Sequence, residues 1–476
     1  MSFGGLYISL SGIYANKKAL DTISHNIANA NNKSYVRQSV IHAEAGLKGI
    51  AGGYRIGSGV TVQQIRQIRD EFLDLKIRNE KSAFGYFNIK SEILGEIEVI
   101  FNEITSSGLQ KAMDDFWNGW SELYKEPESL TMRALLYESA ETLRATAYNI
   151  SQQLNNLREN INREILNKSE EINEILKEIA SLNKSIKKLE GINSATANDL
   201  RDLRNEKLDR LAELMPVKYY ENNDGEIVVS INGRDLVNGE NVNLVKVSIN
   251  ENGNGELCWK VTGERVDLKG SGELAGYIEA RDRLVEEYKN RLDILVKTLA
   301  DNINQIHRTG YGLDGSQGND FFIYDERDPS GTLRINPELS DFNKIAASST
   351  GLRGDGQIAK EILDLREKLM FNDYEFEKYE YPLSNDGGTL KIDEFYRDLV
   401  LNLSIRRQEA VNMAQNQELL ISQMDERRQE ISAVSLDEEM ANMLTYQHSY
   451  IANSRVINAI DQMIDNMINK MGVVGR

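Results

Sequence analysis

Both ends of the chain carry apolar residues spaced three and four apart, the pattern of a helix that must bury one stripe against a partner helix. At the front the stripe is Leu6, Leu10, Ile13, Leu20, Ile23 and Ile27; at the back it is Leu436, Met440, Met443, Tyr450, Ile457, Ile464, Ile468 and Met471. Ile8, Leu444, Ile451, Ile460 and Met467 widen these stripes beyond a two-helix seam. Burying one Leu or Ile is worth roughly 1.5–3 kcal/mol, against about 1–2 kcal/mol for ordering one residue's backbone. The two ends are therefore expected to pair, to be marginal as a pair, and to gain cover from further copies in a ring or helical tube. That is the signature of an assembly subunit rather than an enzyme.

Between the ends, only Pro127, Pro216, Pro329, Pro337 and Pro382 interrupt a chain of 476 residues, which leaves room for long helices. One is predicted from Tyr148 to Glu190 on the stripe Leu154, Leu157, Ile161, Ile165, Ile172, Ile175, Ile179, Leu182, Ile186 and Leu189. A return helix with Leu200, Leu203, Leu208, Leu211 and Leu214 follows, with Asn198 or Asp199 as its cap and Pro216 as its stop. From Val217 to Gly272 the period falls to two, and Asp224-Gly225, Asn232-Gly233, Asn238-Gly239, Asn252-Gly253 and Asn254-Gly255 supply hairpin turns. Helix resumes over 273–306, 311–356 reads as loops with short elements, and the aromatic stretch 367–390 as a β excursion or folded loop. A last body helix over Ile392–Ser432 buries Leu399, Leu403, Ala410, Met413, Leu420, Met424 and Ile431.

The expected fold is mainly α with inserted β, multidomain. Residues 1–65 with 435–476 form a discontinuous terminal helical assembly domain. Residues 66–216 with 273–434 form a coiled-coil-like long-helix bundle, from which a small antiparallel β domain, 217–272, projects.

Composition narrows the function further. With 56 basic against 74 acidic side chains, the net charge of −18 repels phosphate backbones and anionic lipid, so nucleic-acid partners are not expected. No run of about 18 apolar residues occurs, so membrane insertion is not expected either. The opening MSFGGLYISLSGIYANKK lacks the basic, apolar and small-residue regions of a cleaved signal peptide. The lone Cys258 leaves no disulfide framework.

The segment Ala19–Tyr35, A-L-D-T-I-S-H-N-I-A-N-A-N-N-K-S-Y, resembles the N-terminal signature A-L-x-x-x-S-N-N-I-A-N-x-x-T-x-G-Y of the bacterial flagellar axial proteins, the rod, hook and hook-associated family. Asn26, Asn29 and Tyr35 match; His25 replaces the first Asn and Ser34 the Gly, so a positive-φ turn there would fall to Asn31 or Asn32. Val36-Arg37-Gln38 looks like the T-R-Q of hook-associated members. Near the other end, Ser435-Leu436-Asp437-Glu438-Glu439-Met440-Ala441-Asn442, then Tyr446-Gln447, Tyr450 and Arg455-Val456-Ile457, is similar to the family's L-D-E-E-M-A-N-L…Q-x-x-Y-x-A-x-x-R-V-I block. Gly272-Glu273-Leu274-Ala275-Gly276 and Asn319-Asp320-Phe321-Phe322 fit as well.

The resemblance implies a structural subunit of the flagellum that joins hook to filament. Its partners would be the hook protein below, a second junction protein above, and an export chaperone on the C-terminal helix beforehand. Its place would be extracellular, reached by type III export without a cleaved signal peptide. A hook or rod axial subunit shares the terminal motifs, and a coiled-coil scaffold outside the flagellum shares the periodicity; the long hairpin favours the junction.

Catalytic patterns are missing from the sequence. His25, His42, His307 and His448 make no H-E-x-x-H, and no G-x-S-x-G or P-loop occurs. Asp314–Asp320 lacks the alternating carboxylates of a calcium loop. No cofactor or metal is expected.

Overall fold

The computed structural model describes residues 4–49, 55–101, 108–193, 196–250, 253–372 and 388–470. It opens with helix α1 (Gly4–Ala28) and strands β1 (Gln38–Glu44), β2 (Leu47–Gly49), β3 (Arg55–Gly57) and β4 (Val60–Gln67). Helices α2 (Glu71–Phe101), α3 (Leu109–Lys125), α4 (Leu130–Asn193) and α5 (Asn198–Leu214) follow. Next come β5 (Lys218–Glu221), β6 (Ile227–Ile231), β7 (Arg234–Asn238), β8 (Asn241–Val242), β9 (Val245–Ile249) and β10 (Gly255–Trp259). α6 (Glu273–Glu279) passes through a π-helical turn (Ala280–Val285) into α7 (Glu286–His307). β11 (Phe322–Ile323), α8 (Pro329–Thr332), β12 (Arg334–Ile335), α9 (Gln357–Asp364), α10 (Ile392–Ser432) and α11 (Leu436–Asp465) complete a mainly helical fold with inserted antiparallel β structure.

The spine is α4, whose 64 residues span about 96 Å at 1.5 Å each. It begins well before Tyr148 because its stripe continues upstream as Leu136, Ala140, Leu143, Ala147 and Ile150, all buried; alanines in the stripe hide it from a search for large apolar residues. α5 returns antiparallel, tied by Lys207 to Glu178 (2.7 Å) and Arg210 to Glu171 (2.7 Å). Leu189 and Leu203 face solvent, while Asn183 and Arg204 turn inward instead. Asn183 donates to the Ile227 (2.8 Å) and Gly239 (3.1 Å) carbonyls and accepts from Arg204 (3.0 Å), so a polar pair locks the hairpin to β6. Neither Asn198 nor Asp199 caps α5. Its N-cap is Ala197, whose amide donates to Glu190 (3.0 Å).

The β structure does not project. The four-stranded sheet β5–β6–β7–β8 and the β9–β10 hairpin lie along α4, and Ile227, Val229, Leu236, Val245, Leu257 and Trp259 enter the same apolar core as the helices. The β6–β7 turn is Asn232-Gly233, with φ of 50° and 81°, the double left-handed geometry that an Asn-Gly pair tolerates.

Helix α10 has the bounds expected and runs antiparallel to α2: Ser404 meets Glu98 (2.9 Å) and Arg428 lies 3.6 Å from Asp74. Leu399, Leu403, Ala410 and Ala414 are buried, but Met413 and Leu420 are exposed and Met424 and Ile431 half-buried. Past Ala414 the core has ended, and the helix rests on α2 through charged contacts. Phe321 and Phe322 close the far end of the core against Phe116 and Trp120. Phe371 bridges to Leu390; Tyr374, Phe376, Tyr379 and Tyr381 lie outside the described residues, as does Met471. No described helix is long and apolar enough to cross a membrane.

Candidate assembly surface

α1 and α11 pair antiparallel across a seam of small residues. Each step of seven along α1, from Gly5 through Gly12 and Ala19 to Asn26, is matched by a step of seven back along α11, from Ile460 through Asn453 and Tyr446 to Glu439. A Cβ on Gly5 would lie 3.4 Å from Ile460, and one on Gly12 only 2.8 Å from the Asn453 amide. Ala19 and Tyr446 line one crevice, and Asn26 Nδ2 donates to Glu439 Oε2 at 3.0 Å. The buried residues of α1 are Ser9, Gly12, Ala15, Ala19, Thr22, Ile23 and Asn26, small or polar apart from Ile23. Small side chains let the two backbones approach closely, as a leucine seam would not.

The stripes read from the sequence therefore lie mostly to the side of this seam. Ile23 is buried; Leu6, Ile13, Leu20 and Ile27 are half-buried, and Leu10 is exposed. On α11, Met443, Ile457 and Ile464 are half-buried, while Leu436, Met440 and Tyr450 are exposed, as is Ile468 in the π-helical turn Asn466–Lys470 that follows. Leu444 is 58 % exposed, and Ile451, Val456, Met463 and Met467 are also in solvent. Of the 30 residues of α11, Glu439 alone is buried.

Glu439 belongs to a polar knot that gathers most of the motif residues. Asn26 uses its full capacity: Nδ2 donates to Glu439 and to the Gln38 carbonyl (2.9 Å), and Oδ1 accepts from Tyr35 Oη (2.7 Å) and the Gln38 amide (3.0 Å). Arg37 Nε donates to Glu439 (2.7 Å) and its Nη1 to Glu438 (2.7 Å). Asn29 closes α1 by donating to the His25 carbonyl (2.9 Å). Arg455 is exposed on α11, away from the knot. No left-handed residue is used at the Ser34 turn; Asn32 Oδ1 accepts the Ser34 amide at 3.1 Å instead.

The knot continues into the hairpin tip. Gln38 donates to Asp199 (2.9 Å) and accepts from Asn198 (3.0 Å). Asp202 accepts from Gln67 (2.5 Å) and the Val36 amide (3.2 Å). His25 Nε2 lies 3.2 Å from Asp199 Oδ1. Burial pushes the Asp202 carboxyl up to about 7, outweighing those donors and nearby Arg69, with Asp199 adding to the rise. Burial, then the charges of Asp199, Asp202 and Glu439, raises the Tyr35 phenol, which stays protonated as a donor to Asn26. Two turns further along α5, burial works against the Asp209 carboxylate, but Arg78, Lys81 and Arg428 outweigh it and hold it below the usual range. Sequence reasoning does not find Asn198, Asp202 or Gln67 for this role, since their partners lie more than a hundred residues away. Glu439 stood within the quoted L-D-E-E-M block, but nothing in its spacing says that it is buried.

Comparison with known proteins agrees with this layout. Residues 94–322 match the flagellar hook-associated protein FlgK helical domain, and residues 426–471 the flagellar basal body rod FlgEFG protein C-terminal family. The flagellar hook-associated protein 1 of Bacillus subtilis is 29 % identical over 100 % of this chain and 99 % of its own length. That of Escherichia coli is 24 % identical over 97 % and 98 %. The flagellar hook junction protein FlgK from Burkholderia pseudomallei has the same fold, with a TM-score of 0.64 at 13 % identity, covering 76 % of this chain and 100 % of that one. Its helical body, its C-terminal helix and relatives aligned from end to end agree: from one end to the other the chain is similar to flagellar hook-associated protein 1.

Proposed function

We propose that this chain is a structural subunit of the hook–filament junction that polymerises through the outward faces of α1 and α11. One observation carries the reading: α11 holds Leu436, Met440, Leu444, Ile451, Val456 and Met463 in solvent while burying only a glutamate. An exposed apolar strip of this length marks a surface awaiting a partner, and a repeated head-to-tail contact there builds a ring or tube. The hook is one neighbour in this reading, as the names of the relatives suggest, and a second junction protein is the other. Before assembly the same strip suits an export chaperone. Export leaves the N-terminus intact in this reading, because α1 is half of the helix pair and its removal would strip α11 of its cover. The family is structural, and the role needs no cofactor.

The test is Leu444→Glu with Ile451→Glu. Both side chains are already in solvent, so the monomer is expected to melt within a degree or two of the parent, while junction assembly and motility are lost. Normal assembly by this variant would refute the reading. Peptide mapping of the protein recovered from flagella should find α1, Gly4–Ala28, retained.

A further inference from the structure

The α1 side of its seam with α11 does not by itself fix their offset. Gly5, Gly12 and Ala19 recur every seven residues and are nearly alike in size, so a slide of one heptad, about 10 Å, meets similar space. Residues 29–37 form neither helix nor strand and can span up to roughly 30 Å, which provides the slack. What differs along the seam is its closed end. There a carboxylate only 2 % exposed receives Asn26 at 3.0 Å and Arg37 at 2.7 Å. Asn26 is itself saturated by Tyr35 and Gln38, and Gln38 by Asn198 and Asp199 of α5.

The geometry points to Glu439 as the register pin of the terminal helix pair, the positioning residue that sets the axial offset of α11 on α1 and so the apolar surface offered to neighbours. A slide of α1 by one heptad, drawn from that slack, sets this carboxylate opposite Ala19 or beyond the end of α1 and takes Asn26 away from it. A buried polar group that selects one register among alternatives of similar packing is the best attested use of such groups. The inference goes beyond the polymerisation proposed above and is tested on the monomer, so either can fail alone.

The experiment is disulfide trapping in a Cys258→Ser background. Gly5→Cys with Ile460→Cys reports the offset in the structure; Gly5→Cys with Asn453→Cys, and with Met467→Cys, report slides of one heptad either way. With Glu439 in place the first pair should cross-link and the others should give less than about a tenth of its yield. Combining Asn26→Leu with Glu439→Leu fills the site with apolar groups, and is expected to raise a shifted product at least five-fold while helical content is unchanged. Glu439→Gln, which keeps hydrogen-bonding capacity, should restore the first pair. The pin is refuted if the leucine variant still yields the first product alone. It is refuted equally if no pair cross-links, since the knot would then merely hold the fold.

Discussion

At the scale of the residue, two buried ionisable groups give the molecule opposite responses to pH. Asp202 is raised from 3.8 to about 7 by burial. Its folded form therefore binds a proton that the unfolded chain has released. Its contribution is complete below pH 4 and lost as pH rises toward 7, a change of at most about 4 kcal/mol. Asp202→Asn should flatten this slope in denaturant titrations at pH 5 and 8, even though the amide can accept from only one of Val36 and Gln67. His307 behaves in the reverse sense. Burial lowers it from 6.5 to about 4; Nδ1 donates to the Asn319 carbonyl (2.7 Å) and Nε2 accepts the Ala346 amide (2.9 Å), which fixes the neutral tautomer. Its stabilisation is present above pH 6.5 and lost as pH falls through 4, by about 3 kcal/mol, and His307→Gln should remove that acid-sensitive component. Gly12 is a purely steric case. With the Asn453 amide 2.8 Å from a Cβ, Gly12→Val should cost about 1–3 kcal/mol, read as faster hydrogen exchange confined to 4–28 and 436–465.

At the scale of the element, legibility followed the size of the side chains that do the packing. The α10 bounds and the Asn-Gly turn at 232–233 were readable because a proline-free apolar repeat and a left-handed dipeptide are local properties. The α1–α11 seam was not, because its α1 side is built mostly of Gly, Ala, Ser and Thr, which a search for apolar spacing passes over. The β1–β4 pair was missed for a related reason. Val60, Val62 and Ile65 do not hold a strict period of two, and β1 slips register between Ile41 and His42. Asn183 and Arg204 stand at stripe positions where Leu would be expected, and only the fold shows that β6 needs the hydrogen bonds of Asn183, which Arg204 holds in place. Asn183→Leu, which leaves the Ile227 amide without this acceptor and takes one of Arg204's three, should destabilise the body by about 2–4 kcal/mol in a denaturant midpoint assay.

At the scale of the whole molecule, the apolar core runs from Ile89 to Ala410 and, among the described residues, takes nothing from α1, β1–β4 or α11. The terminal unit is joined to the body by hydrogen bonds, among them Gln38 to Asp199 and Gln67 to Asp202, which yield more readily than a shared core. Calorimetry should therefore show two transitions, with the earlier one moving under Glu439→Leu and the later one unmoved. The core residues were readable because they are large and periodic; the knot was not, because it joins segments distant in the chain. Asn26 and Glu439 are separated by 413 positions. At ribosomal speeds of about 5–20 residues per second, the first helix waits on the order of 20–80 s for its mate to be translated. Throughout that interval the small-residue face of α1, Gly5, Gly12 and Ala19, has no α11 to dock on, so the earliest part of the polypeptide made is among the last to take its native shape.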